Sequence, residues 1–283
     1  MLTRAIVRPP APNFAEGLTT ADLGAPNYER ALAQHAAYCS ALEQCGLMLT
    51  RLKPDPLYPD STFVEDAAVL TPRGAILTRP GAPSRAGEVA SIRDALSDFF
   101  PSMLSINSPG TLDGGDVCEA GDHFFIGISE RTNEAGARQL AELLAPFGYP
   151  TSFVDIRGLS GRQSVPGADR GPQAGSPVVD ATGSSSEGIL HLKSGLSYIG
   201  ANRLVVIDAL DARTEFSRYD LVRVNVGEEY AANCVLINDR VLVASGYPGF
   251  ETKLRELGYQ TTALDMTEFQ KMDGGLSCLS LRF

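Results

Sequence analysis

The sequence predicts an α/β protein: five repeats of a β-hairpin followed by a helix, set around one axis as a five-fold pseudosymmetric α/β propeller. Three observations predict it. Helix endings recur in one form, as LEQCGL, LLAPFGY and LRELGY. The segment RPGAPSR at 79–85 echoes RPPAPN at 8–13, and a helical pattern follows each. The first strand of each unit opens on a polar residue, Glu65 or Asp66, Asp116, His191, Asn233 and Cys278. Their spacing is about 40 to 50 residues with one longer gap, the range in which repeats mean propellers or arrays. Equivalent strand starts in a radial array converge on its axis, so these polar residues are expected to meet there.

Taken in order, residues 5–8 form a short strand that runs into RPPAPNFAEGL, a proline-rich loop that cannot continue inside a sheet. Leu18 is then free to approach a ligand. Between 28 and 44, Tyr28, Ala31, Leu32, Cys39 and Leu42 keep helical spacing, with Gly46 as the stop. His35 lies near that stripe as a partly buried helix residue. Residues 48–52 form a strand. The second unit has strands at 63–70 and 75–79 joined by PRG, then a helix at 88–99. In the third, TLDGGDVCEA enters a strand, AGD turns it, HFFIGIS returns, and a helix at 133–144 ends at Gly148. The fourth runs HLKSGLSYIG, a turn at Ala201 and Asn202, a strand at 203–207 and a short helical piece. The fifth runs AANCVLIND, a strand at 241–244, the loop GYPG and a helix at 250–257. LSCLSL, carrying Cys278, is the strand that wraps round to the first unit.

The longer gap has a visible cause. Residues 158–188 are rich in Gly, Ser and Pro with little apolar content, and such a segment cannot repay the entropy of ordering itself. It reads as a surface insertion in a single catalytic domain, 1–283. A lid beside His191 is the sharper alternative.

Composition narrows the function. The 283 residues are 43% hydrophobic and 20% charged, ordinary for a globular protein. A net charge of -10 without a Lys/Arg run leaves no footprint for nucleic acid or an anionic membrane, and favours a cationic small molecule. MLTRAIVRPPAPNF has no apolar signal core, and no later apolar run approaches the ~20 residues of a membrane span, so a cytoplasmic protein is expected. Five cysteines, Cys39, Cys45, Cys118, Cys234 and Cys278, fit reduced thiols better than a disulfide framework. None forms a CxxC, which speaks against structural zinc.

Chemistry concentrates at the segment DGGLSCLSLRF, 273–283. Glycines ahead of Cys278 allow φ > 0 and a close backbone approach, as beside a nucleophile. Read alone, Cys278 fits a buried structural cysteine better than a nucleophile. Its partners must decide. A guanidinium is a flat cation with donors in a fixed fork, and FVED and LDGGD supply carboxylates to receive it. Glu65 and Asp66 are adjacent, so a regular strand would point them to opposite faces. Either an irregular turn begins the strand, or only one touches a ligand, with Asp66 the choice for a guanidinium and Glu65 orienting. Arg85 and Arg131 occupy equivalent places in units two and three and suit a carboxylate clamp. His123, in a hairpin turn, has no assigned role.

The motif set GLTTADLGAPNY, PDSTFVEDAAVL, RPGAPSR, LDGGD, RTNEAGARQ, LHLKSGL, YAANCV and DGGLSCLSLRF resembles the bacterial dimethylarginine dimethylaminohydrolases, of the guanidine-modifying superfamily of five-fold α/β propellers. The resemblance covers nearly the whole chain except 158–188. It implies hydrolysis of Nω-methylated arginine to citrulline and an amine, through a covalent thiouronium, without metal or organic cofactor. Carried over by position, it implies Cys278 as nucleophile, His191 as general acid and base, and Asp113 as third catalytic group. Some bacterial members have Glu at the last of these. It further implies Leu18, Asp60, Glu65, Asp66, Arg85, Arg131 and the backbone at Met272 as substrate-binding positions, and suggests a homodimer. An arginine deiminase would share the logic but usually carries an added helical domain. A papain-like thiol hydrolase would place its cysteine at a helix start. A non-catalytic binding relative is the remaining alternative.

Overall fold

Residues 1–159 and 189–283 are described by the computed structural model. Nearly all of the expected insertion, 158–188, therefore lies outside the described residues. The described residues make five three-stranded sheets. The first unit holds β1 (Arg4–Val7), α1 (Tyr28–Gln44) and β2 (Met48–Arg51). The second holds β3 (Ala68–Thr71), β4 (Gly74–Leu77), α2 (Glu88–Leu96) and β5 (Met103–Ser105). The third holds β6 (Val117–Ala120), β7 (His123–Ile128), α3 (Glu134–Leu144) and β8 (Thr151–Asp155). The fourth holds β9 (Leu196–Tyr198), β10 (Arg203–Val206), the single turn α4 (Asp208–Asp211) and β11 (Asp220–Arg223). The fifth holds β12 (Val235–Ile237), β13 (Arg240–Ala244), α5 (Pro248–Glu256) and β14 (Gln260–Leu264). After α6 (Thr267–Gln270), β15 (Leu281–Arg282) returns to pair with β1.

Every sheet follows one plan. Its first two strands are antiparallel, and the third lies parallel to the second after a crossover that usually includes a helix, which a parallel connection needs. In the first sheet, Ala5 faces Arg282 antiparallel and Leu49 parallel. Sequence pattern marks the hairpins but not β5, β8, β11 or β14. These outer strands are mostly exposed or half-buried, with at most one buried position each, so no clean alternation marks them. The expected turn at Ala201 and Asn202 is present, with φ of 49° and 58°, the left-handed pair whose twist suits a tight hairpin.

Helix ends have identifiable causes. The side chain of Asn27 receives the Arg30 N–H at the start of α1, and Asn133 receives Gly136 N–H at the start of α3. The buried stripe of α1 is Ala31, Gln34, His35, Tyr38, Cys39, Ala41 and Leu42. Tyr38 reaches through the core to Ser280, its hydroxyl 2.6 Å from Ser280 Oγ. That bond and the β1 pairing fasten the cysteine-bearing segment to the interior.

The strand starts differ from expectation in an important way. Each sheet's first strand is entered from a short 3-10 turn: Val64–Ala67, Gly114–Asp116, Leu192–Ser194, Glu229–Ala232 and Ser277–Leu279. The strand expected at 63–70 thus begins only at Ala68, and Cys278 sits in a turn rather than in a strand. Glycines let these turns approach one another: a Cβ on Gly114 would lie 2.0 Å from the Glu65 carbonyl oxygen. Turn Val64–Ala67 touches both Ser277–Leu279 and Gly114–Asp116, which touches Leu192–Ser194, which touches Glu229–Ala232.

Candidate active site

One cleft over these turns gathers Leu18, Asp60, Asp66, Arg85, Arg131, His191, Met272 and Cys278. Asp113 lies beneath it, fully buried, with Oδ2 3.2 Å from His191 Nε2. Its other oxygen, Oδ1, accepts the Gly81 N–H at 2.8 Å, which fixes the carboxylate. His191 caps the turn Leu192–Ser194. The ring is close-packed from behind: a Cβ on Gly115 would fall 2.8 Å from His191 Nδ1 and 3.0 Å from Asp66 Oδ1. The middle glycines of LDGGD are therefore required for packing of the site.

Asp116, the last residue of that motif, is expected on the axis from its strand-start position, with no chemical role. Fully buried, it accepts the Leu192 N–H at 2.9 Å, the Ser129 hydroxyl at 2.7 Å and the Thr132 hydroxyl at 2.6 Å. It thereby anchors the residue next to His191. Burial pushes its carboxyl up to about 6.

The charges set the chemistry of the pair. Burial pulls the His191 imidazole down, but the Asp66, Asp116 and Asp113 carboxylates outweigh it and lift its pKa to about 9. The ring is an imidazolium at neutral pH. Burial, followed by the negative charges of Glu65 and Asp66, pushes the Cys278 thiol up to about 12. Burial also works against Asp66 ionisation, yet Arg85 and His191 hold that carboxyl down at about 2.

Glu65 and Arg85 take protein partners of their own. Glu65 turns away from the cleft: its carboxylate receives Lys193 Nζ at 2.6 Å, Arg282 Nη2 at 3.1 Å and Ser277 Oγ at 2.7 Å. In a 3-10 turn neighbouring side chains diverge by about 120°, so the adjacent acids separate as an irregular turn requires, Asp66 alone facing the cleft. Glu65 lines a second cavity of ≈ 360 Å³ together with Lys193 and Arg282, without Cys278 or His191. The proposed clamp is also unequal. Arg85 spends its fork on Glu88, at 3.0 and 2.8 Å, on Asp66 and on the Phe63 carbonyl. Burial meanwhile lifts Glu88 to about 7. Arg131 lines the same cleft, and among the described residues no hydrogen bond or ion pair engages its guanidinium.

Leu18 donates its N–H to both Asp60 oxygens, at 3.0 and 3.2 Å, while the residue is 41% exposed. Burial raises the Asp60 carboxyl despite Arg85 nearby. Near Met272, the left-handed residue is Asp273, φ 57°, rather than either following glycine. Gly274 and Gly275 serve close approach instead: a Cβ would lie 2.2 Å from Phe63 Cε1 and 2.5 Å from Asn233 Cγ. Asp66, Asp113 and His191 offer ligand atoms within 4.8 Å of one another, the arrangement most suited to a cation among the described residues. Arg85, Gly115 and Gly81 already engage both carboxylates.

A thiol, an imidazolium and ordered carboxylates, brought together by the strand-start turns of five repeated α/β units, define a thiol-dependent enzyme for a cationic substrate. Comparison with known proteins narrows the class. The chain is 39% identical to the N(G),N(G)-dimethylarginine dimethylaminohydrolase of Pseudomonas aeruginosa over 284 residues, covering 100% of both. It is 33% identical to the enzyme of that name from Streptomyces coelicolor over 282 residues, 99% of this chain and 96% of that one. A cysteine-to-serine mutant of the Pseudomonas protein, complexed with citrulline, matches with a TM-score of 0.88 at 39% identity over 100% of both chains. The N-terminal domain of a cyanobacterial arginine dihydrolase, at 19% identity and a TM-score of 0.77 over 99% of this chain and 96% of that one, shares the fold. No protein-family model matches. The chain belongs to the dimethylarginine dimethylaminohydrolase family.

Proposed function

We propose that the protein hydrolyses Nω-methylated L-arginine, mono- or dimethylated, to L-citrulline and methylamine or dimethylamine. The observation that carries this reading is one cleft holding Cys278, His191 and the Asp66 carboxylate, with buried Asp113 bonded to His191, in a chain of this family. Asp66 meets the guanidinium, and Arg131 receives the substrate carboxylate. Asp60 and the backbone at Leu18 and Met272 shape the remainder.

The substrate cation offsets the charge that suppresses the thiolate. Cys278 loses its proton to solvent as the guanidinium binds, and its sulfur attacks the guanidinium carbon. The His191 imidazolium protonates the departing amine, so the C–N bond breaks to leave a thiouronium on Cys278 and a neutral imidazole. His191 then takes a proton from water, the resulting hydroxide adds to the same carbon, and the C–S bond breaks as the added hydroxyl gives up its proton to solvent, releasing citrulline and the thiolate. Asp113 orients the imidazole and stabilises its charged form. No cofactor enters these steps.

The five units are proposed to close as a propeller. The successive contacts between turns support this, as do the two hydrogen bonds between Asn233 and Ser277 that join the last two. A cytoplasmic location accords with five unpaired cysteines. Among the described residues no helix is long and apolar enough to cross a membrane. A homodimer, suggested by the family resemblance, is tested by sedimentation.

Incubating purified protein with dimethylarginine and separately with arginine, and assaying citrulline, tests the function. Dimethylarginine should turn over much faster. Equal or faster turnover of arginine would make the protein a deiminase, and no citrulline from either would make it a binding relative.

A further inference from the structure

Asn233 stands between the two turns that carry the reacting groups. Its Oδ1 accepts the Ser277 N–H at 2.9 Å, and its Nδ2 donates to Ser277 Oγ at 3.1 Å and to the Lys193 carbonyl at 3.0 Å. Ser277 directly precedes Cys278, and Lys193 follows His191 by two residues in the turn that His191 caps. One amide thus ties the cysteine's turn to the histidine's. A parallel tie runs through Glu65, which receives Ser277 Oγ at 2.7 Å and Lys193 Nζ at 2.6 Å. The fit around the amide is tight. Gly275, whose carbonyl accepts the Cys278 N–H at 3.3 Å, would place a Cβ 2.5 Å from Asn233 Cγ.

We propose that Asn233 is a positioning residue for the reaction: acting through Ser277, it holds Cys278 at a fixed separation from His191. The inference rests on the reading of Cys278 as nucleophile. Residue chemistry explains the choice of side chain. An amide presents acceptor and donors in one plane without charge, so it satisfies Ser277 N–H, Ser277 Oγ and Lys193 O together. A carboxylate would supply no donor and would add negative charge beside a thiol that must ionise. Alanine would leave the buried Ser277 N–H without its partner. A misplacement of about 1 Å between reacting groups costs on the order of a hundredfold in rate, so loosening this tie should act on the chemical step.

Asn233→Ala removes the tie, and Gly275→Ala displaces it while leaving the Asn233 side chain present. For each, kcat and KM for dimethylarginine are measured separately, with thermal melts to establish folding. The expected result is a kcat lowered by about tenfold or more in both variants, with KM within about threefold of wild type. A smaller loss of kcat in either folded variant, or a KM raised by more than about threefold, would overturn the proposal, since neither fits an effect confined to chemistry. Should only one variant fold, that one decides. Failure of both to fold would overturn it by making the tie a requirement of folding. The same variants are treated with iodoacetamide and the modification at Cys278 followed by mass spectrometry, which needs no substrate. A released turn should react at least about threefold faster. If wild type forms no citrulline, the functional reading fails separately, and an unchanged alkylation rate would then sink the positioning role.

Discussion

Asp113 Oδ2 lies 3.2 Å from His191 Nε2, and the Gly81 N–H holds the other oxygen of the same carboxylate at 2.8 Å. The carboxylate is therefore oriented independently of the imidazole, and the imidazole takes its direction and much of its charge from a fixed partner.

The first prediction concerns that pair. His191 has a folded pKa of about 9 against an ordinary 6.5. A raised folded value means that its contribution to stability is complete below the ordinary value and is lost as pH rises through about 9. Thermal stability should fall between about pH 7 and pH 9. Asp113→Asn should shrink that fall, lower the imidazole pKa seen by NMR, and reduce kcat by about a hundredfold. A pH dependence of melting identical to wild type would leave Asp66 and Asp116, without Asp113, as the source of the shift.

Cys278 supplies the second. Its free-enzyme thiol, pushed up to about 12, should be protonated at neutral pH. Bound guanidinium places a positive charge near sulfur beside Asp66 and Glu65, so ligand binding and thiol ionisation are coupled. Ultraviolet difference titration in a His191 variant, with Cys278→Ser subtracting the other thiols, should show a lower pKa with a non-reactive guanidinium ligand present. A thiolate already dominant at about pH 7 without ligand, or a pKa that the ligand leaves unmoved, would replace substrate assistance with a standing Cys278–His191 ion pair.

The two arginines should separate cleanly. Arg131→Ala is expected to raise KM by about ten- to hundredfold with little change in melting, because it removes a fork that no described residue engages and that suits a carboxylate. Arg85→Ala strips the partner from buried Asp66 and Glu88 and should destabilise the fold by about 3–5 kcal/mol. Comparable melting of both variants, with KM raised only by the second, would reverse their roles.

The fourth prediction treats 158–188 as dispensable. Ile189 donates its N–H to the Leu159 carbonyl at 3.2 Å, so the described ends of the segment are already joined. Replacing the intervening residues with a short Gly/Ser link should leave kcat/KM within a few-fold. A loss beyond about a hundredfold, ~2.7 kcal/mol of transition-state stabilisation, would assign the segment to the site as a lid or a support for His191.

Much of this protein was legible in its sequence because the signals are local. Hairpin turns at Ala201–Asn202, the stripe of α1, and the polar residue before each first strand depend on neighbours in the chain. The motifs around Cys278, His191 and Asp113 carry the family resemblance because each is a short run of residues. Tertiary structure alone decided where the side chains point. Glu65 and Asp66 part because Gly114, from the next unit, presses its backbone against the Glu65 carbonyl and the chain there forms a 3-10 turn. Arg85 is withdrawn from the proposed clamp by Asp66 and Glu88, a choice between partners that only packing settles. Asn233 and Ser277 meet across 44 residues for the same reason: the turns that carry them come together only when separate units pack.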